Sequence, residues 1–165
     1  MQSFRNQADS RLSLLAGSIV FALSACRPSP DAPEPTGVSD TIRVFAWPAH
    51  PLPTDEVLTQ VGDTFGMEVV VSDNWIGSIA IYYTEFVDDA AFEGLATSTT
   101  CSPHIVMHPT SEVVVLAHEI GHTLGLQHVG TPGNLMNVDD VEFALSDGQI
   151  EVARSSAWEM EQCKE

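Results

Sequence analysis

The spacing of hydrophobic residues changes several times along the chain, and each spacing predicts an element. Thr41 to Trp47 alternates polar and apolar residues, which predicts a strand. Thr54 to Phe65 places Val57, Leu58, Val61 and Phe65 at helical spacing behind a Thr54-Asp55-Glu56 start, and Gly66 supplies the stop. Met67 to Ser72 is rich in valine, and Ser78 to Phe86 sets Ile79, Ile81 and Tyr83 on one side; both predict strands. The short apolar runs Gly94 to Thr97 and His104 to Met107 read as strands too. A second helix is expected from about Ser111 to Leu126 and a third from about Asp147 to Gln162, with Ser146 as its cap. The order is strand, helix, four strands, helix, irregular segment, helix. It predicts an α+β domain over residues 41–165, a sheet of about five strands with helices packed on one core. No internal repeat or second domain is visible.

The first forty residues follow a different logic. Arg5 and Arg11 precede an apolar run, Leu14 to Leu23, that is too short to cross a bilayer as a stable helix. A basic start, a short apolar middle and small residues at its end describe a secretory signal over residues 1–25. The run closes on Leu23-Ser24-Ala25-Cys26, which resembles the lipobox of bacterial lipoproteins. That resemblance implies a lipidated Cys26, a membrane anchor, and a place in the cell envelope, at the outer membrane or cell surface. Residues 26–40 carry Pro28, Pro30, Pro33 and Pro35 and predict an extended tether.

Composition changes the picture in one respect. The chain has 165 residues and a formal charge of −17, from 23 acidic and 6 basic side chains. Phosphate binding needs a basic surface, so a nucleic-acid partner is excluded. A calcium site built from these carboxylates is conceivable, but no calcium-loop spacing supports it.

The chemistry concentrates in His118-Glu119-Ile120-Gly121-His122-Thr123-Leu124-Gly125-Leu126-Gln127-His128. Residues four apart share a helix face, so His118 and His122 point at one ion. Glu119 is offset around the helix, close enough to bind a water on that ion without ligating it. Gly125 tolerates the left-handed backbone of a sharp stop, which turns the chain and returns His128 as a third nitrogen. Three histidines leave a tetrahedral zinc one open position, the mark of a catalytic site. Five such residues coincide by chance in on the order of one window in ten million at ordinary frequencies, which sets coincidence aside. The expected activity is zinc-dependent peptide-bond hydrolysis with Glu119 as general base. The competing class is a non-catalytic lipoprotein that keeps one zinc and serves as a binding module.

This run resembles the extended zinc motif of the metzincin metalloproteases, closest to the matrixin branch. The resemblance implies a small metzincin-like catalytic domain with a twisted mixed sheet, a peptide or protein substrate, and one catalytic zinc. It implies that Met136, in Gly133-Asn134-Leu135-Met136, is the structural methionine of a tight turn beneath the zinc. It also implies that Gly94-Leu95-Ala96 is the edge strand that pairs with extended substrate. Asn137 departs from the family, which usually shows an aromatic residue and then proline there, so the wall of the specificity pocket is expected to differ. The family's second histidine cluster is not found.

His50, His104 and His108 have no helical pairing. On one strand face His104 and His108 would lie about 13 Å apart, too far for one ion, which leaves them structural or superficial. Cys101 and Cys163 remain once Cys26 is assigned to the anchor. Outside the cytoplasm they either pair, tying the loop before His104 to the last helix, or stay separate thiols. A monomer is expected.

Overall fold

The structure is a computed structural model that describes residues 37–47, 50, 52–84, 94–97 and 99–163. Among the described residues five strands and three helices follow in the order β1 (Thr41–Ala46), α1 (Asp55–Phe65), β2 (Glu68–Val71), β3 (Ile79–Tyr83), β4 (Gly94–Thr97), β5 (His104–Met107), α2 (Val113–Thr123) and α3 (Asp147–Glu161). The strands form one sheet in the order β2-β1-β3-β5-β4. Three pairings are parallel, and β4 alone runs antiparallel, against β5, at the edge of the sheet. The domain is therefore a small α+β fold on a mixed sheet.

Side-chain alternation decides which face becomes core. Ile42 and Val44 on β1, Ile79 and Ile81 on β3, and Ile105 and Met107 on β5 are all buried. They meet Leu58, Val61 and Phe65 of α1 and Leu116, Ala117 and Ile120 of α2. Each fully buried side chain of this size contributes roughly 1.5–3 kcal/mol, so this layer fixes where α2 lies. The other face carries the alternate residues, among them Phe45, Trp47, Tyr82 and His104, whose rings touch in series.

The elements fall where the hydrophobic spacing puts them, and the ends differ for physical reasons. Thr54 caps α1 as its position suggests, its side chain accepting from the Val57 N–H. Gly66 ends α1 in the left-handed region at φ 61°. The expected helix from Ser111 to Leu126 is shorter, because Glu112 is its cap and Leu124 to Leu126 form the stop. Ser146 caps α3 with a full capping box: the Gln149 N–H donates to the Ser146 side chain while the Gln149 side chain reaches back to the Ser146 N–H. Cys26, the proposed signal and most of the Pro-rich stretch lie outside the described residues.

α3 packs through Ala153, Ala157 and Met160, and its far end is joined by a Cys101–Cys163 disulfide with the Cα atoms 5.5 Å apart. The Ser39 N–H donates to the Arg154 carbonyl and the Ser39 hydroxyl to the Glu161 carboxylate, so the lead-in to β1 is laid against α3.

Candidate metal centre

Helix α2 positions the first two histidines. One turn apart on the same helix, His118 and His122 bring their rings to a centroid distance of 4.7 Å. The helix then ends in a Schellman turn. Gly125 takes φ 83°, its N–H donates to the His122 carbonyl, and the Leu126 N–H donates to the Gly121 carbonyl. A side chain at Gly125 would be strained there, because an L residue puts its Cβ against the backbone in this region. The reversal carries the chain back across the end of α2 and delivers His128, whose ring lies 4.6 Å from His122 and 5.2 Å from His118.

The outer nitrogens of the helical pair are already engaged. His118 Nδ1 lies 2.6 Å from the Leu135 carbonyl oxygen, and His122 Nδ1 lies 2.9 Å from that of Leu126. A carbonyl only accepts, so both Nδ1 atoms carry the proton and both Nε2 atoms present a lone pair. Those lone pairs face His128, with Nε2 to Nε2 distances of 3.2 Å from His118 and 2.9 Å from His122. A proton on His128 Nε2 can serve one neighbour but not both, whereas a cation between the rings serves all three. One ligand nitrogen from each ring lies within 4.8 Å of the others. A tetrahedral ion with nitrogens at about 2.0–2.1 Å separates them by roughly 3.3 Å, which the cluster matches. The donor set fits zinc.

Burial sets the electrostatics. His118 and His122 both sit below the usual imidazole range, first because burial disfavours the charged ring. Their carbonyl partners oppose that shift, and the neighbouring rings add to it. Burial therefore favours the neutral form of these two imidazoles, the form that binds metal. Glu119 is 9 % exposed, and burial pushes its carboxyl up to about 7 against a smaller opposing hydrogen bond from the Ala96 backbone.

Two close approaches build the floor and the rim. A Cβ on Gly121 would lie 2.6 Å from Met136 Sδ, so the methionine seats directly on the bare face of α2. A Cβ on Gly94 would lie 2.8 Å from Glu119 Cγ and 2.9 Å from Met107 Sδ, so β4 passes immediately beside the carboxylate. Leu95, the next residue, is exposed, and Ala96 supplies the Glu119 hydrogen bond.

All the residues singled out around the zinc motif thus come together: His118, His122, His128, Glu119, Met136, and the Gly94-Leu95-Ala96 strand. The other histidines do not join them. His50 Nδ1 accepts from the Tyr83 N–H, His104 stacks edge-on against Tyr82, and His108 Nδ1 meets the Thr110 hydroxyl.

The sequence marked Asn137 but did not point to the amide pair Asn134 and Gln149 beside the methionine turn. Asn134 Oδ1 accepts from the Met136 N–H at 2.9 Å. Its Nδ2 donates to Gln149 Oε1 at 2.9 Å, and Gln149 Nε2 returns a bond to Asn134 Oδ1 at 3.1 Å. Asn137, 5 % exposed, donates to the Thr131 carbonyl and accepts from the Asp139 and Asp140 N–H groups. The stretch after the methionine is thus pinned by a buried amide. For the Asn134–Gln149 pair the Ser146-to-Gln149 capping spacing was the only signal, and it speaks of the helix end alone.

Comparison with known proteins follows the same stretch. A family model described as Peptidase_M10: Matrixin matches residues 52–154, well over half of the chain. No curated protein matches in a sequence comparison. Among solved structures the chain is similar to a chain of the GM1-bound form of the ECX AB5 holotoxin, at 13 % identity and TM-score 0.43, covering 72 % of this chain and 70 % of that one. It is also similar to metalloproteinase-II from Bacteroides fragilis, at 14 % identity and TM-score 0.46; the match covers 75 % of this chain and 55 % of that one.

Proposed function

The chain belongs to the matrixin family, and on that premise we propose that it is a zinc-dependent endopeptidase in which Glu119 carries the proton. The observation that supports this reading most is the convergence of three imidazole nitrogens beside a buried carboxylate. His118, His122 and His128 would hold the ion. When bound, zinc supplies Lewis acidity, which acidifies water towards a pKa of about 7 and polarises a peptide carbonyl.

The chain's own residues do the rest. The Glu119 carboxylate takes a proton from the attacking water and returns it to the amine nitrogen as the C–N bond breaks. β4 is an edge strand, so extended substrate can add to it by backbone hydrogen bonds, with Gly94 leaving space beside Glu119. Met136 closes the site from below and keeps the helix face dry.

The anchoring belongs to the same proposal: Cys26 carries lipid and holds the peptidase at the bacterial cell envelope. The Leu23-Ser24-Ala25-Cys26 run after a short apolar segment supports it.

The test is cleavage of a mixed peptide library by the zinc-loaded full chain, with and without chelator, beside its Glu119→Gln form. The parent should cleave and lose that activity to chelator. Glu119→Gln should keep its zinc and lose about 10²–10⁴-fold in rate, the usual worth of general base catalysis. A variant that cleaves as fast as the parent would remove Glu119 from the reaction.

A further inference from the structure

We propose that Asn134 and Gln149 form a positioning pair for the metal centre, so that zinc affinity is set in part by helix α3. The inference rests on the zinc reading above and adds to it residues that never touch the ion.

The connection runs through one carbonyl. His118 depends on the Leu135 oxygen, 2.6 Å from its Nδ1, for both ring orientation and tautomer. Partners of this kind, donating or accepting on the far side of a ligating imidazole, typically change metal affinity 10- to 100-fold when lost. A backbone carbonyl cannot be mutated, so the question becomes what aims it. Leu135 lies between Asn134 and Met136, and the Asn134 side chain arches over it to accept from the Met136 N–H at 2.9 Å. That bond closes a tight turn around the Leu135 peptide. Its outer end is then gripped from α3, because Asn134 and Gln149 exchange two amide hydrogen bonds, at 2.9 and 3.1 Å. Asn134 therefore uses both polar atoms of its side chain, and neither is spare.

Gln149 cannot wander. Its Oε1 also accepts from the Ser146 N–H at 2.9 Å, so the residue that caps α3 is the residue that holds the turn. The Leu135 N–H, in the preceding peptide unit, is separately bound to the Ala144 carbonyl at 2.7 Å, which holds the residue from its other side. Leu135 and Met136 are fully buried, so water cannot stand in for a lost partner. The path from α3 to the site is thus Gln149, Asn134, the Leu135 carbonyl and His118, each link a short hydrogen bond or a shared peptide.

A merely structural pair would stabilise α3 and leave the metal alone, and one control separates the two. Glu151→Gly puts a glycine at an exposed position inside α3, weakening the helix by about 1 kcal/mol while touching neither amide. The experiment measures zinc affinity by competition with a chromophoric chelator, and thermal stability without metal, on the full chain. The set is the parent, Glu151→Gly, Asn134→Ala, Gln149→Ala and the Asn134→Ala/Gln149→Ala double variant. Either amide variant should bind zinc about 10-fold more weakly, and the double variant no more weakly than the worse single one. Glu151→Gly should lose thermal stability and keep the parent's affinity. Unchanged affinity in both amide variants would overturn the inference, as would an equal loss in Glu151→Gly. A parent that binds no zinc would overturn both the inference and the reading beneath it. A parent that binds zinc while its amide variants bind it with unchanged affinity overturns the inference alone.

Discussion

Helix α2 and the loop that follows it, Gly125 to Asn137, supply the same site by opposite means. The helix sets His118 and His122 by regular geometry, with His118 buried and His122 half-buried beside the core residues Leu116, Ala117 and Ile120. The loop has no regular hydrogen bonding, and it places His128 and Met136 through two left-handed glycines, Gly125 and Gly133, and a set of side-chain amides. His128 itself is exposed, and its Nε2 faces the other two histidines. Rigidity on one side therefore comes from packing, and on the other from directed polar bonds. Damage to the first should appear as lost stability and damage to the second as lost metal.

The sharpest break of that contrast is on the helix side. Ile120 is fully buried between His118 and His122, so Ile120→Ala should cost about 2–5 kcal/mol of unfolding free energy. Denaturant titration of the metal-free chain measures it, and a loss below 1 kcal/mol would show that α2 is not fixed by its packing.

Glu119 gives the next largest effect, with a sign that depends on pH. Burial raises its folded value from 4.5 to about 7, so the folded chain holds this proton more tightly than the unfolded one. Its contribution is fully present below about 4.5 and is lost as pH rises through about 7. In the metal-free chain, Glu119→Gln should therefore be more stable than the parent at pH 8, by up to about 3 kcal/mol at 1.36 kcal/mol per unit. The gain should vanish at pH 4.5. A gain that is the same at both pH values would show that the carboxylate is not desolvated.

The loop side should give the smallest loss of stability and a disproportionate loss of metal. Gly125→Ala places a Cβ at φ 83°, with strain of about 1–2 kcal/mol, and turns the path that delivers His128. Melting the metal-free chain and titrating zinc into it should show a modest fall in the first and a clear fall in the second. Equal proportional losses would mean that loop and helix form one rigid unit.

What the sequence revealed divides along the same line. The helical ligands were legible because a four-residue spacing has one geometric meaning, and Gly125 because few residues accept a left-handed stop. The five strands were legible from alternation and valine content, but their order was not. Nothing in the spacing of β3 says that it pairs with β1 rather than β2. The amides were not legible either. Asn134 and Gln149 are 15 residues apart, and each has an adequate local explanation, one as a turn residue and the other as part of a capping box. Bonds to backbone carbonyls, such as that from His118 to Leu135, leave no mark on the accepting residue at all.

The most direct test of the account is X-ray absorption at the zinc edge on the full chain purified with zinc. It predicts one zinc per chain with three imidazole nitrogens at about 2.0–2.1 Å and a further light-atom ligand. The single variants His118→Ala, His122→Ala and His128→Ala should each lose that signature. Sulfur in the coordination shell, or a signature that survives in all three variants, would place the metal elsewhere and contradict the account.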